Sequence, residues 1–362
     1  MIVDFYTKLF SSSNPSGLES VIQHTKRVVS GDMNATLIED FTSLEVESAL
    51  RQMAPLKAPG PDGMPPIFFQ HYWDCIGNDI VKAVLFCLNT SEVLPGLNHT
   101  FITLIPKVKS PKFISKFRPI ALCNVLYKLV SKVLANRLKR VLPQIIFETQ
   151  SAFQPDKAIS DNILVVFETL HHMKMKKVGK VGHVALKLDM SKAYDRLEWE
   201  FLKKIMEKMG FHPTWVGWIM ECIKSVTYSI LVNGEPKGHI LPTRGIRQGD
   251  PLSPYLFLLV SEGLNGIIQH AMEGGQSEGF ALCWFGPKIS HLFFADDSLL
   301  FCRARLGDVL AIQALLGLYE KALVQMINAA KTTLFFSKNV SDSTKESIKN
   351  RLGVAEIKEY EK

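Results

Sequence analysis

The sequence predicts an α+β protein, in which helices and antiparallel strands follow one another in irregular order. Residues 128–141 place apolar side chains at helical spacing, and residues 183–189 alternate in polarity as a strand does. Asn233 and Gly234 stand between two strand patterns, and this dipeptide is the strongest two-residue signal for a hairpin turn. No regular strand–helix–strand repeat indicates a parallel sheet, so the α+β class follows.

Length and composition describe a folded chain with room for two domains. Of the 362 residues, 47% are apolar and 21% are charged, which excludes wholesale disorder. No apolar run approaches the roughly 18–20 residues that cross a bilayer. An N-terminus with Asp4 and no basic stretch argues against a secretory signal. The six cysteines form no CxxC pair, so we expect reduced core thiols, an intracellular chain and no membrane partner.

Local signals define the elements of the first hundred residues. The run SSSNPS and its polar surroundings predict a loosely held segment over residues 1–40. Thr42 with Glu45 three residues later predicts a capping box at a helix start. Four prolines and two glycines exclude helix and central strand from residues 57–66. Helical patterns follow at residues 68–73 and 79–88, and an apolar strand at residues 101–105.

The positive charge is concentrated in residues 101–150. This window holds ten Lys or Arg against one acid, Glu148, and so carries +9 in a chain whose total is +7. A solvated lysine-rich face is the plain interpretation, but the apolar residues within the window require it to fold. A folded basic surface favours a polyanionic partner, most simply nucleic acid. The helix of residues 128–141 is expected to expose Lys128, Lys132 and Lys139 opposite its apolar face.

The second half of the chain contains the remaining patterns. The strand of residues 183–189 precedes a helical pattern over residues 192–209, which ends at Gly210. Beyond the hairpin at Asn233, a second hairpin pattern covers residues 291–302. Strand and hairpin patterns therefore surround the three aspartates that are considered next.

Three aspartates lie in apolar surroundings, where burying a charged acid costs free energy. Asp189 ends a strand, and Asp296 and Asp297 form the tip of the second hairpin. A turn can favour aspartate for its own backbone hydrogen bonds, but phenylalanines and leucines on both sides mark this hairpin as core. Adjacent carboxylates repel unless a cation compensates, and clustered oxygen ligands suit Mg²⁺ beside substrate phosphates. Together with a basic surface, the pattern indicates phosphoryl transfer assisted by two metal ions.

Seven runs of the sequence occur in order along nearly the whole chain. They are KAPGPDG (57–63), LIPKVKSPKFISKFRPIALCNVLYKLVSKVLANRLK (104–139), QSAF (150–153), LKLDMSKAYDRLEW (186–199), RGIRQGDPLSPYLF (244–257), FADDSLLF (294–301), and the sequence from YEKA (319–322) to INAAKTTLFFS (327–337). In this order and spacing they resemble the reverse transcriptase of plant non-LTR retrotransposons of the long interspersed element type.

This resemblance implies a right-hand polymerase fold with fingers and palm and with the thumb missing. The palm would be an RRM-like antiparallel sheet backed by helices. The fingers would lie mainly in residues 51–180 and the palm mainly in residues 181–340, after an N-terminal extension over residues 1–50. Residues 341–362 would begin the connection to the primer grip and thumb, so the chain is expected to be a fragment of a longer polyprotein.

The resemblance also implies an RNA-directed DNA polymerase that extends a DNA primer on an RNA template with dNTPs. Asp189, Asp296 and Asp297 would hold two Mg²⁺ ions, for which Mn²⁺ can substitute. Tyr194 resembles the gate that excludes a ribose 2′-hydroxyl, with a packing aromatic as the alternative. Asp195 is expected to form hydrogen bonds or begin a helix rather than bind metal.

Further positions carry implied contacts with the nucleotide or the template. Gln248 and Gly249 resemble a loop along the templating base pair and the incoming nucleotide. Arg118 resembles a fingers residue that reaches the triphosphate, because its planar fork engages phosphate oxygens. Lys331 resembles a palm lysine placed to protonate pyrophosphate. Lys107 and Lys116 would accompany Arg118, with plain solvated charge as the alternative for each lysine.

Three departures from the family pattern bear on activity. Asp156 replaces a glycine that tolerates positive φ, and β-branched Val324 replaces another. The chain also ends before the family's primer grip. The rival hypothesis is therefore an inactive remnant that keeps the fold and RNA binding. A viral RNA-dependent RNA polymerase is disfavoured by Tyr194 and by the runs FADD and RQGDPLSP. The family leads us to expect nuclear localisation.

Overall fold

The computed structural model describes residues 1–94, 96–154, 157, 159–282, 286–295, 297–323, 326–328 and 331–356. The chain divides into two compact units, each assembled from three separate stretches. The first unit comprises Met1–Asn14, Arg27–Leu142 and Tyr194–Phe257, and the second comprises Pro15–Lys26, Pro143–Ala193 and Leu258–Lys362. Helices and largely antiparallel sheets confirm the α+β class.

The helices in the described residues are α1 (Ile2–Phe10), α2 (Leu18–Ile22), α3 (Gly31–Ile38), α4 (Ser43–Arg51), α5 (Pro66–His71), α6 (Trp73–Thr90), α7 (Val125–Ile145), α8 (Ile159–Met175), α9 (Trp199–Met209), α10 (Pro213–Lys224), α11 (Ser253–Glu273), α12 (Leu306–Leu323) and α13 (Asp342–Leu352). The strands are β1 (His99–Pro106), β2 (Phe117–Cys123), β3 (His183–Ser191), β4 (Thr227–Val232), β5 (Glu235–Ile240), β6 (Phe280–Ala281), β7 (Lys288–Ile289), β8 (His291–Phe294), β9 (Asp297–Arg303), β10 (Met326–Ile327), β11 (Thr333–Phe336) and β12 (Ala355–Glu356).

The sheet of the first unit has the strand order β2-β1-β4-β5. Strand β1 pairs antiparallel with β2 and parallel with β4. Strands β4 and β5 form the hairpin that the sequence predicts, and its two turn residues, Asn233 and Gly234, have φ of 54° and 86°. Asparagine and glycine tolerate this left-handed backbone best, so the local signal was sufficient.

The predicted capping box is present at the start of α4. The hydroxyl of Thr42 accepts a hydrogen bond from the backbone N–H of Glu45 at 3.3 Å, and the Glu45 carboxylate accepts one from the backbone N–H of Thr42 at 3.0 Å. The same carboxylate accepts from Arg137 Nε of α7 at 2.7 Å. Arg137 is only 2% exposed and also donates to the carbonyls of Leu37 and Asp40. One cation of the basic window is thus a buried link between helices.

The prediction of a loosely held segment over residues 1–40 is wrong. Helix α1 buries Tyr6, Leu9 and Phe10 in the first unit. The Phe10 carbonyl accepts hydrogen bonds from the backbone N–H groups of Thr243 and Arg244, at 2.9 and 3.1 Å. The polar run SSSNPS suggested disorder, whereas the apolar face directly before it provides enough burial to fix the helix.

The proline-rich segment is irregular, as predicted, but it is held tightly against the start of α7. A Cβ atom at Gly60 would lie 2.4 Å from the backbone nitrogen of Asn124, so only glycine fits there. The Asn124 side-chain oxygen accepts from the backbone N–H of Asp62 at 3.2 Å. Lys128 Nζ donates to the Ala58 carbonyl at 3.2 Å. The segment therefore covers part of α7.

The main sheet of the second unit has the order β12-β11-β3-β9-β8, and β10 also pairs with β3. The predicted alternation along β3 is confirmed, with Val184, Leu186 and Leu188 buried on one face. The opposite face is also covered, because Ala185 belongs to a core cluster with Met173 of α8. Strand β3 is therefore central in its sheet and buried on both faces over most of its length.

The helix predicted over residues 192–209 begins later than expected. Residues 192–196 form turns, Glu198 forms an isolated bridge with Arg244, and α9 starts only at Trp199. The carbonyls of Tyr194 and Leu197 accept hydrogen bonds from the backbone N–H groups of Ile246 and Gly245, at 2.9 and 2.7 Å. These carbonyls would serve the helix internally if it began at residue 192. Long-range pairing has replaced the first helical turns.

Most cysteines match the prediction of buried thiols. Cys87, Cys123, Cys222 and Cys302 are buried and free, whereas Cys75 is free but exposed near the start of α6, contrary to prediction. Cys283 lies outside the described residues. Within the described part of the chain, none of the helices combines the length and apolarity needed to span a membrane.

Candidate active site

Two aspartates of the second unit face each other on neighbouring central strands. Asp189 of β3 pairs in register with Asp297, the first residue of β9. Directly opposed residues of antiparallel strands point to the same face, with Cβ atoms about 4.5–5.5 Å apart. Asp189 is half-buried and Asp297 is exposed, so the pair is accessible to solvent. The third aspartate of the prediction, Asp296, lies outside the described residues, as do Asp156 and Val324.

Residues that follow β10 bind both carboxylate oxygens of Asp189. Asn328 Nδ2 donates to Oδ2 at 3.0 Å, and Lys331 Nζ donates to Oδ1 at 3.2 Å. The backbone N–H of Asn328 also donates to the Asp189 carbonyl at 2.8 Å. The Lys331 ammonium thus supplies positive charge to one of the facing aspartates. Sequence reasoning missed Asn328, although it lies within the run INAAK quoted above.

In the first unit, residues 244–251 form an irregular segment that we call the glycine loop. Gly245 and Gly249 have φ of 90° and 114°, in the left-handed region. A Cβ atom would lie 2.7 Å from the Asp195 carbonyl oxygen at the first position and 3.1 Å from the Ala121 carbonyl oxygen at the second. At both positions the absence of a side chain permits a close approach between two backbone segments. That the loop lines a nucleotide stays a prediction.

Arg247 fixes the glycine loop from within, and sequence reasoning missed it. Its side chain is buried and forms an ion pair with Asp250 at 2.7 Å. It donates to the side chains of Asn98 and, at 3.3 Å, Thr100. The guanidinium carbon lies 3.9 Å from the centroid of the Tyr127 ring. The available signal was an acid three residues after an arginine, which is too common a pattern to indicate burial.

Two further residues of the predicted site in the first unit are Gln248, which lies within this loop, and Tyr194, which lies outside it. Gln248 Nε2 donates to Asp195 Oδ1 at 3.2 Å, which confirms the hydrogen-bonding role expected for Asp195. A helix-start role for Asp195 is wrong, because α9 begins at Trp199. The Tyr194 ring stacks on Phe257, with centroids 5.1 Å apart and planes at 10°. This contact matches the packing alternative, and the steric-gate role of Tyr194 stays a prediction.

Strands β1 and β2 with their connection form an exposed basic surface, residues 107–118, which we call the basic hairpin. The backbone N–H of Lys107 donates to the Lys116 carbonyl at 2.8 Å, and Phe113 in the connection is 69% exposed. All the cations of this surface are exposed, namely Lys107, Lys109, Lys112, Lys116 and Arg118. The structure therefore brings Arg118 together with its two predicted companions.

Helix α7 does not present the exposed lysine face that the sequence predicts. Lys128 is only 5% exposed and is covered by the proline-rich segment, while Lys132 and Lys139 are half-buried. Burial lowers the pKa of both Lys128 and Lys132. Lys139 Nζ lies 5.5 Å from the centroid of the Tyr255 ring. A helical pattern shows which residues share a face, but not that a second layer covers the polar side.

Facing carboxylates on neighbouring central strands, in a chain that also carries an exposed basic hairpin, are the arrangement expected of a metal-dependent polynucleotide polymerase. Comparison with known families agrees with this class. The family described as reverse transcriptase (RNA-dependent DNA polymerase) matches residues 105–354. The chain belongs to the reverse transcriptase family.

Two of the relatives are proteins of mobile elements. The Transposon TX1 uncharacterized 149 kDa protein of Xenopus laevis is 29% identical over 331 residues, which are 91% of this chain and 24% of that protein. The Retrovirus-related Pol polyprotein from type-2 retrotransposable element R2DM of Drosophila melanogaster is 26% identical over 310 residues, 85% of this chain and 27% of that protein. An uncharacterized mitochondrial protein of Arabidopsis thaliana is 50% identical over 68 residues, 19% of this chain and 56% of that protein. The chain spans about a quarter of the length of the first two relatives, and it is homologous to Pol proteins of non-LTR retrotransposable elements.

Proposed function

We propose that this chain carries out RNA-directed DNA synthesis as the polymerase domain of a non-LTR retrotransposon. It would add dNMP units from dNTPs to the 3′-hydroxyl of a DNA primer on an RNA template. The observation that carries the proposal is the register of β3 with β9, which places Asp189 opposite Asp297 in a reverse transcriptase domain. A plant source is supported by the short Arabidopsis thaliana match, and nuclear action is the family expectation.

The residues present fit a divalent cation. Carboxylate oxygens are the ligands that Mg²⁺ and Mn²⁺ prefer, and Asp189 already binds the ammonium of Lys331. Among the described residues, no third acid, histidine or cysteine completes a cluster with this pair, so Asp296 is the proposed third ligand. When bound, two such ions would supply a lowered pKa for the primer hydroxyl and charge neutralisation for pyrophosphate.

The remaining roles are assigned from the resemblance and from the exposure and contacts of each side chain within its own unit. Arg118 is exposed on the basic hairpin, where its fork can engage triphosphate oxygens. The exposed cations around it would bind the nucleic-acid backbone, and Phe113 offers a face on which a base can stack. Gln248 and Gly249 would contact the base pair being formed. Lys331, held at Asp189, is close enough to the proposed metal site to donate a proton to the leaving pyrophosphate.

Primer extension on an RNA template with Mg²⁺ or Mn²⁺ tests this function. We expect Asp189→Asn to reduce extension roughly 100-fold or more, because metal-assisted charge stabilisation is worth several kcal/mol. Asp342→Asn is the matched control, since this aspartate is 98% exposed at the start of α13, and it should retain parental activity. If the parent binds RNA but extends no primer under any condition, the inactive-remnant hypothesis replaces this one.

Sugar discrimination tests the proposed gate separately. We expect Tyr194→Val to raise the incorporation of rNTP relative to dNTP, because a smaller side chain leaves room for a 2′-hydroxyl. Phe257→Leu removes the stacking partner without shortening Tyr194 and serves as the control for loss of packing. An unchanged rNTP to dNTP ratio in an active Tyr194→Val variant would leave Tyr194 as a packing residue only.

A further inference from the structure

We infer that Gln150 is a positioning residue for the hairpin that carries the proposed metal ligands. Its side-chain oxygen holds the backbone of Ala295, the residue directly before Asp296 and Asp297. The inference rests on the proposed function in one respect, that this hairpin binds the metal. Gln150 belongs to the run QSAF, which none of the roles above explains.

The chain around Gln150 acts as an additional strand beside β8. The backbone N–H of Phe293 donates to the Thr149 carbonyl at 2.9 Å, and the N–H of Ser151 donates to the Phe293 carbonyl at 3.4 Å. Gln150 and Phe293 form a parallel bridge. Strand β8 would otherwise be the outermost strand on its side of the sheet, with free backbone groups along that edge. This pairing fixes β8 where it leads into the aspartates.

Ala295 directly follows β8 and has a strained backbone, and Gln150 binds it directly. Ala295 has φ of 53°, a left-handed conformation that an L-residue with a side chain rarely adopts. Its backbone N–H donates to Gln150 Oε1 at 3.3 Å, and the same oxygen accepts from the N–H of Ala152 at 3.0 Å. Gln150 is 0% exposed, so water does not compete for this oxygen. The hydrogen bond stabilises the left-handed backbone of Ala295, the residue that directly precedes the two aspartates.

Gln150 is itself immobilised by its neighbours. Asn162 Nδ2 donates to both the Thr149 and the Phe293 carbonyls, at 3.1 and 3.3 Å. Gln154 Nε2 donates to the Gln150 carbonyl at 2.8 Å, and Lys157 Nζ donates to it at 3.2 Å. A side chain whose backbone is fixed from several directions can hold a partner at a defined position.

The chemistry of the Gln150 amide separates this role from simple core packing. Its oxygen accepts two backbone hydrogen bonds, whereas its buried nitrogen has no hydrogen-bond partner among the described residues. Leaving a buried donor unpaired is costly, so an apolar residue would serve packing better. A glutamine at this position is explained by the acceptor oxygen, which is the atom that reaches Ala295.

Hydrogen exchange at the Ala295 amide and Mn²⁺ affinity test the inference without relying on activity. Gln150→Met keeps the length of the side chain but removes the acceptor, and Gln150→Glu keeps an acceptor oxygen. Gln70→Met is the matched control, because this half-buried glutamine of the first unit donates to the backbone carbonyls of Leu50 and Met53 and has no contact with Gln150 or the hairpin. We expect Gln150→Met to speed Ala295 exchange and weaken Mn²⁺ binding by roughly five- to tenfold, the loss expected for one buried hydrogen bond.

Gln150→Glu should restore slow exchange, and Gln70→Met should match the parent in both measurements. The inference is overturned if folded Gln150→Met keeps parental exchange and Mn²⁺ affinity. If Gln150→Met does not fold, the test uses Gln150→Glu, which keeps an acceptor oxygen. Fast exchange of the Ala295 amide in folded Gln150→Glu would then overturn the inference. Failure of the proposed function looks different, because the parent would then neither bind Mn²⁺ at this site nor extend a primer.

Discussion

At the scale of single residues, Gly245 sets the path of the glycine loop. We expect Gly245→Ala to lower the free energy of unfolding by at least about 1–2 kcal/mol, because a left-handed backbone is costly for alanine. The added methyl group would also meet the Asp195 carbonyl oxygen at 2.7 Å. Urea unfolding followed by circular dichroism measures the change.

Gly217 provides the matched control for this substitution. It lies within α10, and a Cβ atom there meets nothing within 4 Å. Gly217→Ala should stabilise the protein by about 0.5–1 kcal/mol, since alanine is the better helix former. Equal effects of the two substitutions would show that the left-handed backbone at Gly245 is not required.

Single residues also show which contacts can be predicted from the sequence and which cannot. The Thr42 cap and the Asn233 turn are decided by neighbours within three residues, and both were predicted. Arg247 binds Asn98, which is 149 positions away in the chain, and no local pattern indicates that contact. The register of Asp189 with Asp297 lies between these cases. The sequence patterns predicted both strands and the resemblance implied that the aspartates share a metal site, but the pairing of the two strands comes from the structure.

At the scale of elements, most exposed cations of the basic window lie on the basic hairpin, whereas on α7 only Arg140 of the window's cations is exposed. We expect Lys107→Glu with Lys116→Glu to weaken binding to RNA of any sequence and to reduce the slope of log affinity against log salt by about 1–2. The reason is that each neutralised phosphate releases counterions. Filter binding across a salt titration gives both quantities.

Lys82→Glu, on the exposed side of α6, is the control for a general effect of charge. Reversal at buried Lys128 should instead destabilise the fold, because its ammonium donates to the Ala58 carbonyl. If the hairpin substitutions left RNA affinity unchanged while Lys82→Glu reduced it, the basic hairpin would not be the binding surface.

Elements with a strong local signal were predicted well. Strand β3 and the two hairpins follow from alternation and turn residues, and the helix before Gly210 follows from its apolar face. The errors at residues 1–40, at residues 192–198 and on the polar face of α7 share one cause. In each case a segment distant in sequence covers or pairs with the element, and a single segment carries no signal of that contact.

At the scale of the whole molecule, two buried histidines make the stability depend on pH. Burial lowers the pKa of His183 to about 4 and that of His291 to about 3. Unfolded histidine binds a proton near pH 6.5, so these residues contribute stability above that pH, and the contribution is lost as the pH falls toward 4. Glu262 opposes them, because burial raises its pKa to about 7 and its contribution is lost as the pH rises from 4.5 to 7.

We therefore expect His291→Asn to flatten the dependence of unfolding free energy on pH. Between pH 4 and 6 the slope should fall by up to about 1.4 kcal/mol per pH unit, the value for one proton. Urea unfolding at several pH values measures it, with His71→Asn as the control because His71 is exposed. An identical slope in His291→Asn and the parent would contradict the lowered pKa of His291.

The stretches of the two units alternate along the sequence, which limits where the chain can be cut to give a fragment that folds. A fragment of residues 51–180, the expected fingers, would contain β1 and β2 but lack β4 and β5, which belong to the same sheet. The backbone groups of β1 that pair with β4 would be exposed, and such an edge promotes aggregation. The side chains of His99 and Thr227, at one end of this pairing, are 128 positions apart. Contacts of that separation form late, so refolding of the first unit should be slow and should require the intact chain.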